Sequence, residues 1–229
     1  MFSDKIRRRF KRHLRGWAQN LANKLVVHLL MRGLITEYPA ERHEHERNGR
    51  SIVIAGEMFS GKTDELIRLI RRNVYAKVPF VVFKPDKDNR TINVWCRNGH
   101  ELESIPVKSS LEILEYVAAH PEIKVVGIDE AQFFGMNDPI VEVVRTLADK
   151  FHIVVFVAGL DMMFDGRPFN QMPFLMAVAT EVHKVHAVCV VCGRTAAYSR
   201  RKVASTDEVL VDDKDNEQYE AVCRRHRPF

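Results

Sequence analysis

One eight-residue stretch constrains this chain more than any other. Gly56-Glu57-Met58-Phe59-Ser60-Gly61-Lys62-Thr63 fits the pattern G-x-x-x-x-G-K-[ST]. It directly follows a short apolar run, Ser51–Ala55, and opens a helical pattern from about Lys62 to Lys77, with Leu66, Ile67, Ile70 and Val74 on one face. A strand that turns through glycine into a helix makes a phosphate cradle. Backbone N–H groups converge on the anion, and the helix N-terminus adds positive potential. Lys62 is placed to reach the β- and γ-phosphates, and the Thr63 hydroxyl to ligate Mg²⁺. The bland alternative, a tight turn with a chance Lys-Thr pair, leaves the flanking strand and helix unexplained.

The rest of the chain repeats this alternation. Phe80–Lys84, Lys124–Asp129 and His152–Gly159 read as buried strands, and Ser109–His120 and Pro139–Lys150 as helices. Strands alternating with helices imply an α/β fold of the P-loop NTPase type, a mostly parallel sheet with helices on both faces. From about Val182 the character changes to paired cysteines and short β-like runs, Val188–Val191 and Val209–Val211. The expected division is therefore an N-terminal extension and linker over 1–50, a P-loop domain over 51–181 and a small metal-binding domain over 182–229.

Lys124–Ile128 runs directly into Asp129-Glu130. A parallel strand delivers its C-terminal residues to the sheet edge that also carries the phosphate loop. Asp129 is thus placed to hold Mg²⁺, and Glu130 to take a proton from an acceptor hydroxyl. Solvated carboxylates at strand ends are common, so the pairing with the upstream loop gives these two their meaning.

Cys189-x-x-Cys192 and Cys223-x-x-His226 form two knuckles. Together they offer the four N/S ligands that tetrahedral Zn²⁺ prefers, in a closed structural site holding a segment too small for its own core. Cys96, the fourth cysteine, has no role in this reading.

Charge bears on partners. Residues 1–50 hold 12 Lys+Arg against 5 Asp+Glu, and the other 179 hold 23 against 25. The basic character belongs to the N-terminal segment, and no nucleic-acid partner is expected for the rest. Ile6, Phe10, Leu14, Trp17, Leu21, Leu25 and Leu29 recur at helical spacing. Three readings stand open for this helix: organelle targeting, an anionic membrane surface, or packing on its own protein or a neighbouring subunit. Glu37–Arg50, with Pro39, reads as a linker. Free cysteines and the lack of a secretory signal make the cytoplasm the expected compartment, with an organelle as the alternative.

The same blocks carry a family resemblance. Gly56-x-Met-Phe-Ser-Gly-Lys-Thr63 followed by Glu65-Leu66-Ile67, then Ile128-Asp-Glu-Ala-Gln-Phe-Phe134, then Gly159-Leu-Asp-x-x-Phe164 with Pro168-Phe169, occur in order. Ala187-Val-Cys-x-x-Cys192 and Tyr219-Glu-Ala-Val-Cys-Arg-x-His226 follow. From about Ser51 to His226 the chain resembles the zinc-bearing, P-loop (type II) thymidine kinase family. The resemblance implies ATP-dependent phosphorylation of the 5′-hydroxyl of thymidine or deoxyuridine, with Mg²⁺ and a structural zinc, in a homotetramer. It implies that Glu130 is the catalytic base. ATP would be bound by residues 56–63 together with Asp129, Glu130, Ala131 and Gln132. Met58, Phe133, Leu160, Phe164 and Phe169 would line the nucleoside pocket, with Phe164 stacking on the base. Ser199, Val209, Val211 and Tyr219 would cover it from a lasso loop, and Cys189, Cys192, Cys223 and His226 would bind the metal.

Three stretches depart from the family pattern. Cys96-Arg97-Asn98-Gly99 replaces a Ser-His-x-Gly block, Asp165 replaces a basic residue, and Val211–Glu217 is longer and acidic where the lasso is usually glycine-rich. These bear on nucleoside specificity and turnover. They leave two other functions to weigh: a catalytically altered relative that only binds nucleotide, and a P-loop ATPase with a zinc ribbon acting on nucleic acid.

Overall fold

The computed structural model describes residues 21–33, 49–87, 94–95, 101–203, 218–227 and 229. Its frame is a six-stranded sheet. The strands are β1 (Arg50–Gly56), β2 (Phe80–Pro85), β5 (Ile105–Val107), β6 (Val125–Ile128), β7 (Val154–Leu160) and β8 (Glu181–Lys184). Their order is β5-β2-β6-β7-β1-β8, and every neighbouring pair is parallel. Between β2 and β5, β3 (Val94–Trp95) and β4 (Glu101–Leu102) pair antiparallel.

Strand alternation sorts the apolar residues into two layers. Ile52 and Ile54 of β1, Val82 of β2 and Phe156 and Ala158 of β7 face helix α2 (Lys62–Tyr75), which buries Leu66, Ile67 and Ile70 against them. Val53, Ala55, Phe83, Val126, Val155 and Val157 point the other way. They pack under α3 (Ser110–Ala119), α4 (Ile140–Asp149) and α5 (Met172–Val178). Both faces of the sheet are covered, as all-parallel pairing requires. The boundaries of α3 and α4 lie one residue inside those read from sequence: Ser109 accepts from Leu111 N as an N-cap, and Pro139 caps α4. Val74 is the exception on α2. It is 47 % exposed, because the helix has reached the rim of the sheet there.

A helical stretch over residues 21–31, α1, lies on the larger core. It buries Asn23, Val27 and Leu30, and Lys24 meets Glu115 of α3 at 3.3 Å. This corrects the stripe read from sequence: Leu21 and Leu25 are each 58 % exposed, and the adjacent face seats on the core instead. Residues 1–20 and the linker read over Glu37–Arg50, up to 48, lie outside the described residues. Among the described residues no helix is long and apolar enough to cross a membrane.

A second, smaller core gathers Ala187, Cys189, Ala196, Tyr198, Ala221, Val222 and Cys223 around an antiparallel pair, β9 (Tyr198–Arg201) and β10 (Tyr219–Val222). The β-like run Val188–Val191 is not a strand. Cys189 N donates to Arg194 O at 2.7 Å and Gly193 N to Cys189 O at 2.9 Å, curling the chain into a knuckle and leaving Val188, Val190 and Val191 exposed. Val209–Val211 lies outside the described residues.

Candidate active site and metal centre

The loop 56–63, the candidate phosphate site, joins β1 to α2 at the C-terminal edge of the sheet. Gly61 takes φ +80 at the N-cap of α2, a conformation glycine adopts without steric cost. Phe59 is also left-handed, at φ 67. Lys62 folds across the loop: its Nζ donates to Glu57 O at 2.7 Å, an oxygen that also accepts from Ser60 Oγ at 2.7 Å. Burial lowers the Lys62 pKa, and the carboxylates of Glu130, Asp129, Glu57 and Asp161 act against that. The lysine is therefore the hub of an acidic surround. A cavity of about 630 Å³ opens beside the loop, lined by Ser60, Gly61, Asp64, Arg68, Arg72 and Tyr75 among others.

The end of β6 delivers Asp129 and Glu130 to the same place. Thr63 Oγ1 donates to Asp129 Oδ2 at 3.3 Å. Two neighbouring oxygen ligands of octahedral Mg²⁺ lie roughly 3 Å apart, so the hydroxyl and carboxylate fit that ion. Asp129 is buried, and this burial together with the adjacent Glu130 charge pushes its pKa up to about 7; the Glu130 N–H, Lys84 and Lys62 oppose the rise. Glu130 sits at φ 52, ψ 38. A non-glycine residue held in that region costs on the order of 1–3 kcal/mol, and such strain collects at functional sites. Its carboxylate is fixed by Gln132, whose Nε2 donates to Glu130 Oε2 while its Oε1 accepts from Leu160 N at 3.0 Å. Gln132 is fully buried, and Ala131 beside it is core.

The expected pocket residues fall into two groups. Phe133 and Phe169 meet edge to face at 6.4 Å, with Leu160 following β7's buried run. Phe164 rides on a tight turn in which Gly166 N donates to Met163 O at 3.0 Å and Met163 N to Arg167 O at 2.8 Å. The Arg201 guanidinium covers the Phe164 ring at 3.8 Å and donates to Tyr219 OH at 3.2 Å. Met58 N donates to Ser199 Oγ at 3.0 Å, which joins the phosphate loop to β9. Glu57, also buried, accepts from Ala187 N and meets His186 at 3.3 Å. Val209 and Val211 lie outside the described residues, as do the altered block 96–99 and the acidic stretch to 217. Asp165 pairs with Arg167 at 2.7 Å and is turned to its own loop.

Sequence reasoning missed several neighbours. Lys84, buried at the end of β2, faces Asp129 electrostatically. A lysine closing an apolar strand was the available signal. Asp161 is buried against Lys184 at 2.9 Å. Asn170 holds Gln132 O at 2.8 Å. Arg201 carried no signal in its spacing.

Cys189, Cys192, Cys223 and His226 place their ligand atoms within 4.8 Å of one another. Cys192 Sγ and Cys223 Sγ are 3.7 Å apart, and His226 Nδ1 is 3.5 and 3.4 Å from Cys189 and Cys223. A tetrahedron with metal–sulfur bonds of about 2.3 Å has edges of about 3.8 Å, so the set fits zinc. Burial pushes the Cys189 thiol up, but N–H groups from Cys223, Val191 and Cys192 and the His226 ring outweigh it and bring it to about 5. A thiolate is thus ready at neutral pH.

Comparison with known proteins agrees with this geometry. The sequence model of the family described as thymidine kinase matches residues 49–227. A curated thymidine kinase of Bacteroides thetaiotaomicron is 46 % identical over 183 residues, covering 79 % of this chain and 88 % of its own. One of Bdellovibrio bacteriovorus is 46 % identical over 177 residues, covering 76 % and 83 %. Among solved structures, the flagellar accessory protein FlaH of Methanocaldococcus jannaschii aligns with a TM-score of 0.41 at 14 % identity, over 74 % of this chain and 82 % of its own, too loosely to bear on function.

Proposed function

The chain belongs to the thymidine kinase family, and from that premise we propose how its own residues transfer the γ-phosphoryl group of ATP to the 5′-hydroxyl of thymidine. The activity is thymidine phosphorylation. The phosphates lie in the loop 56–63, where N–H groups and Lys62 balance their charge. The adenosine half lies toward the cavity lined by Arg68, Arg72 and Tyr75. The nucleoside lies between Met58, Phe133, Leu160, Phe164 and Phe169, under Ser199 and Tyr219. Glu130 accepts the proton of the 5′-hydroxyl as its oxygen bonds to the γ-phosphorus. The bond from that phosphorus to the β,γ-bridging oxygen breaks, and ADP leaves with the electron pair. Mg²⁺ held by Thr63 and Asp129 supplies charge neutralisation. Zinc at Cys189, Cys192, Cys223 and His226 supplies only structure.

The observation that supports this most is the constrained carboxylate: Glu130 is left-handed, tied by Gln132 and one residue from the Asp129–Thr63 pair. A domain division near residues 50 and 181, a homotetramer, a cytoplasmic location and acceptance of deoxyuridine belong to the same reading. The family match does not favour a nucleotide-binding relative without turnover, or an ATPase acting on nucleic acid.

The test is a coupled assay of the zinc-loaded full chain with ATP and Mg²⁺ against thymidine, deoxyuridine, deoxycytidine and deoxyadenosine. Turnover confined to thymidine and deoxyuridine is expected. ATP binding with no turnover on any of the four overturns the reading.

A further inference from the structure

Phe164 is carried at the second position of a four-residue turn, Met163 to Gly166, closed by the Gly166 N to Met163 O bond of 3.0 Å. The strands leading into the turn meet only briefly, at the Met162–Pro168 bridge. Gly166 is left-handed, at φ +84, the position that follows a type I turn in a short hairpin. A turn of this size does not hold an aromatic ring in one place by its own hydrogen bonds. Arg201 covers the Phe164 ring itself, and the turn beneath it is braced from elsewhere.

The ring of Phe229 packs on the Gly166 backbone. A methyl group at position 166 would lie 2.5 Å from its ring carbons, so the ring fills the space that glycine leaves open. Phe229 is itself held in place. Its ring meets Tyr198 of the smaller core edge to face at 5.7 Å, and the Arg227 guanidinium lies 5.3 Å from its centroid. It follows the metal-ligand candidate His226 by three residues. Phe229 lies two residues beyond the stretch 49–227 that matches the family.

We infer that Phe229 is a positioning residue for the nucleoside site: it wedges against Gly166 and so fixes the turn that presents Phe164. It acts through the turn and touches neither substrate. The kinetic half of the inference rests on the reading of Phe164 as a nucleoside contact; the structural half does not.

The experiment uses the full, zinc-loaded chain with Phe229→Ala and Phe229→Leu. Loss of an aromatic contact of this kind corresponds to about fivefold in an equilibrium constant. Hydrogen exchange at the Met163 and Gly166 amides of Phe229→Ala is therefore expected to rise about fivefold, with exchange in β1 and β7 unchanged. KM for thymidine is expected to rise by a similar factor, with KM for ATP and the melting temperature nearly constant, and Phe229→Leu should recover part of both effects. Unchanged exchange at residues 163 and 166 overturns the inference whatever the kinetics show. Faster exchange with an unchanged thymidine KM overturns its functional half, whereas an unchanged thymidine KM in Phe164→Ala overturns the reading of Phe164 as a nucleoside contact. A general fall in melting temperature, with exchange rising throughout the small core, overturns it in favour of a merely structural role.

Discussion

Gln132 donates to the carboxylate of Glu130 with one end of its amide and accepts from the Leu160 backbone with the other. One buried side chain thus couples the carboxylate after β6 to the end of β7. Its orientation is set from both sides, and the carboxylate cannot rotate without breaking a bond in the interior.

Replacing Glu130 by the isosteric Gln removes the proposed base and leaves the space filled. General bases contribute roughly 10²–10⁴ in rate, so kcat should fall by about a thousandfold while ATP affinity, read by calorimetry, holds. Gln132→Leu leaves the base in place but unanchored, and misorientation of this sort costs on the order of tenfold or more in kcat. Full turnover by Glu130→Gln would sink the mechanism.

Asp129 has its pKa pushed up to about 7 by burial and by the Glu130 charge. The folded chain therefore holds this proton more tightly than the unfolded chain does. The resulting stability is fully present below the ordinary value of 3.8 and is lost as pH rises through about 7. Asp129→Asn removes the ionisation and keeps an acceptor. In magnesium-free buffer the variant should be the more stable protein at pH 8, by at most about 4 kcal/mol. The gap should widen from pH 5 to pH 7 and stay flat above, while turnover is lost at every pH. Urea titrations across that range read the result; a gap independent of pH contradicts it.

Glu57 is buried within the phosphate loop and accepts from the Ala187 N–H. Truncation to Ala orphans that donor, which costs about 2 kcal/mol. The urea midpoint should fall accordingly, and Glu57→Gln, which keeps an acceptor, should lose less. Equal losses for the two variants would place the cost in packing and not in the hydrogen bond.

Stripping the Cys₃His centre with a strong chelator should release about one zinc per chain, measured by mass spectrometry, because four ligands of this kind bind one ion. The melting temperature should drop, and thymidine KM should rise before ATP KM does, since β9 and β10 carry Ser199 and Tyr219. A chain purified without zinc, and indifferent to the chelator, refutes a zinc role.

The alternation of strand and helix was legible because buried parallel strands are continuous apolar runs, and the turn from β1 into α2 because glycine stands at fixed offsets in it. Ser109 and Pro139 even marked helix starts to within one residue. The Val188–Val191 run misled, since three valines among four residues read as strand whether or not a knuckle bends them outward. The stripe through Leu21 and Leu25 misled for another reason: α1 has a second apolar edge, Val27 and Leu30, and tertiary packing chose that one. Contacts such as Arg201 on Phe164, 37 residues apart, depend on how the small core docks and leave no local trace.

The seat taken by α1 has a consequence for where this kinase ends as a folding unit. Val27 and Leu30 belong to the same core as Val53 and Val155, yet both precede the family-matched stretch that begins at residue 49. Trimming the chain to that stretch would forfeit roughly 3–5 kcal/mol of apolar burial and leave a greasy scar beside α3 and α4. The core of the catalytic body therefore extends past the matched stretch, and part of its keel is laid by Val27 and Leu30 of α1.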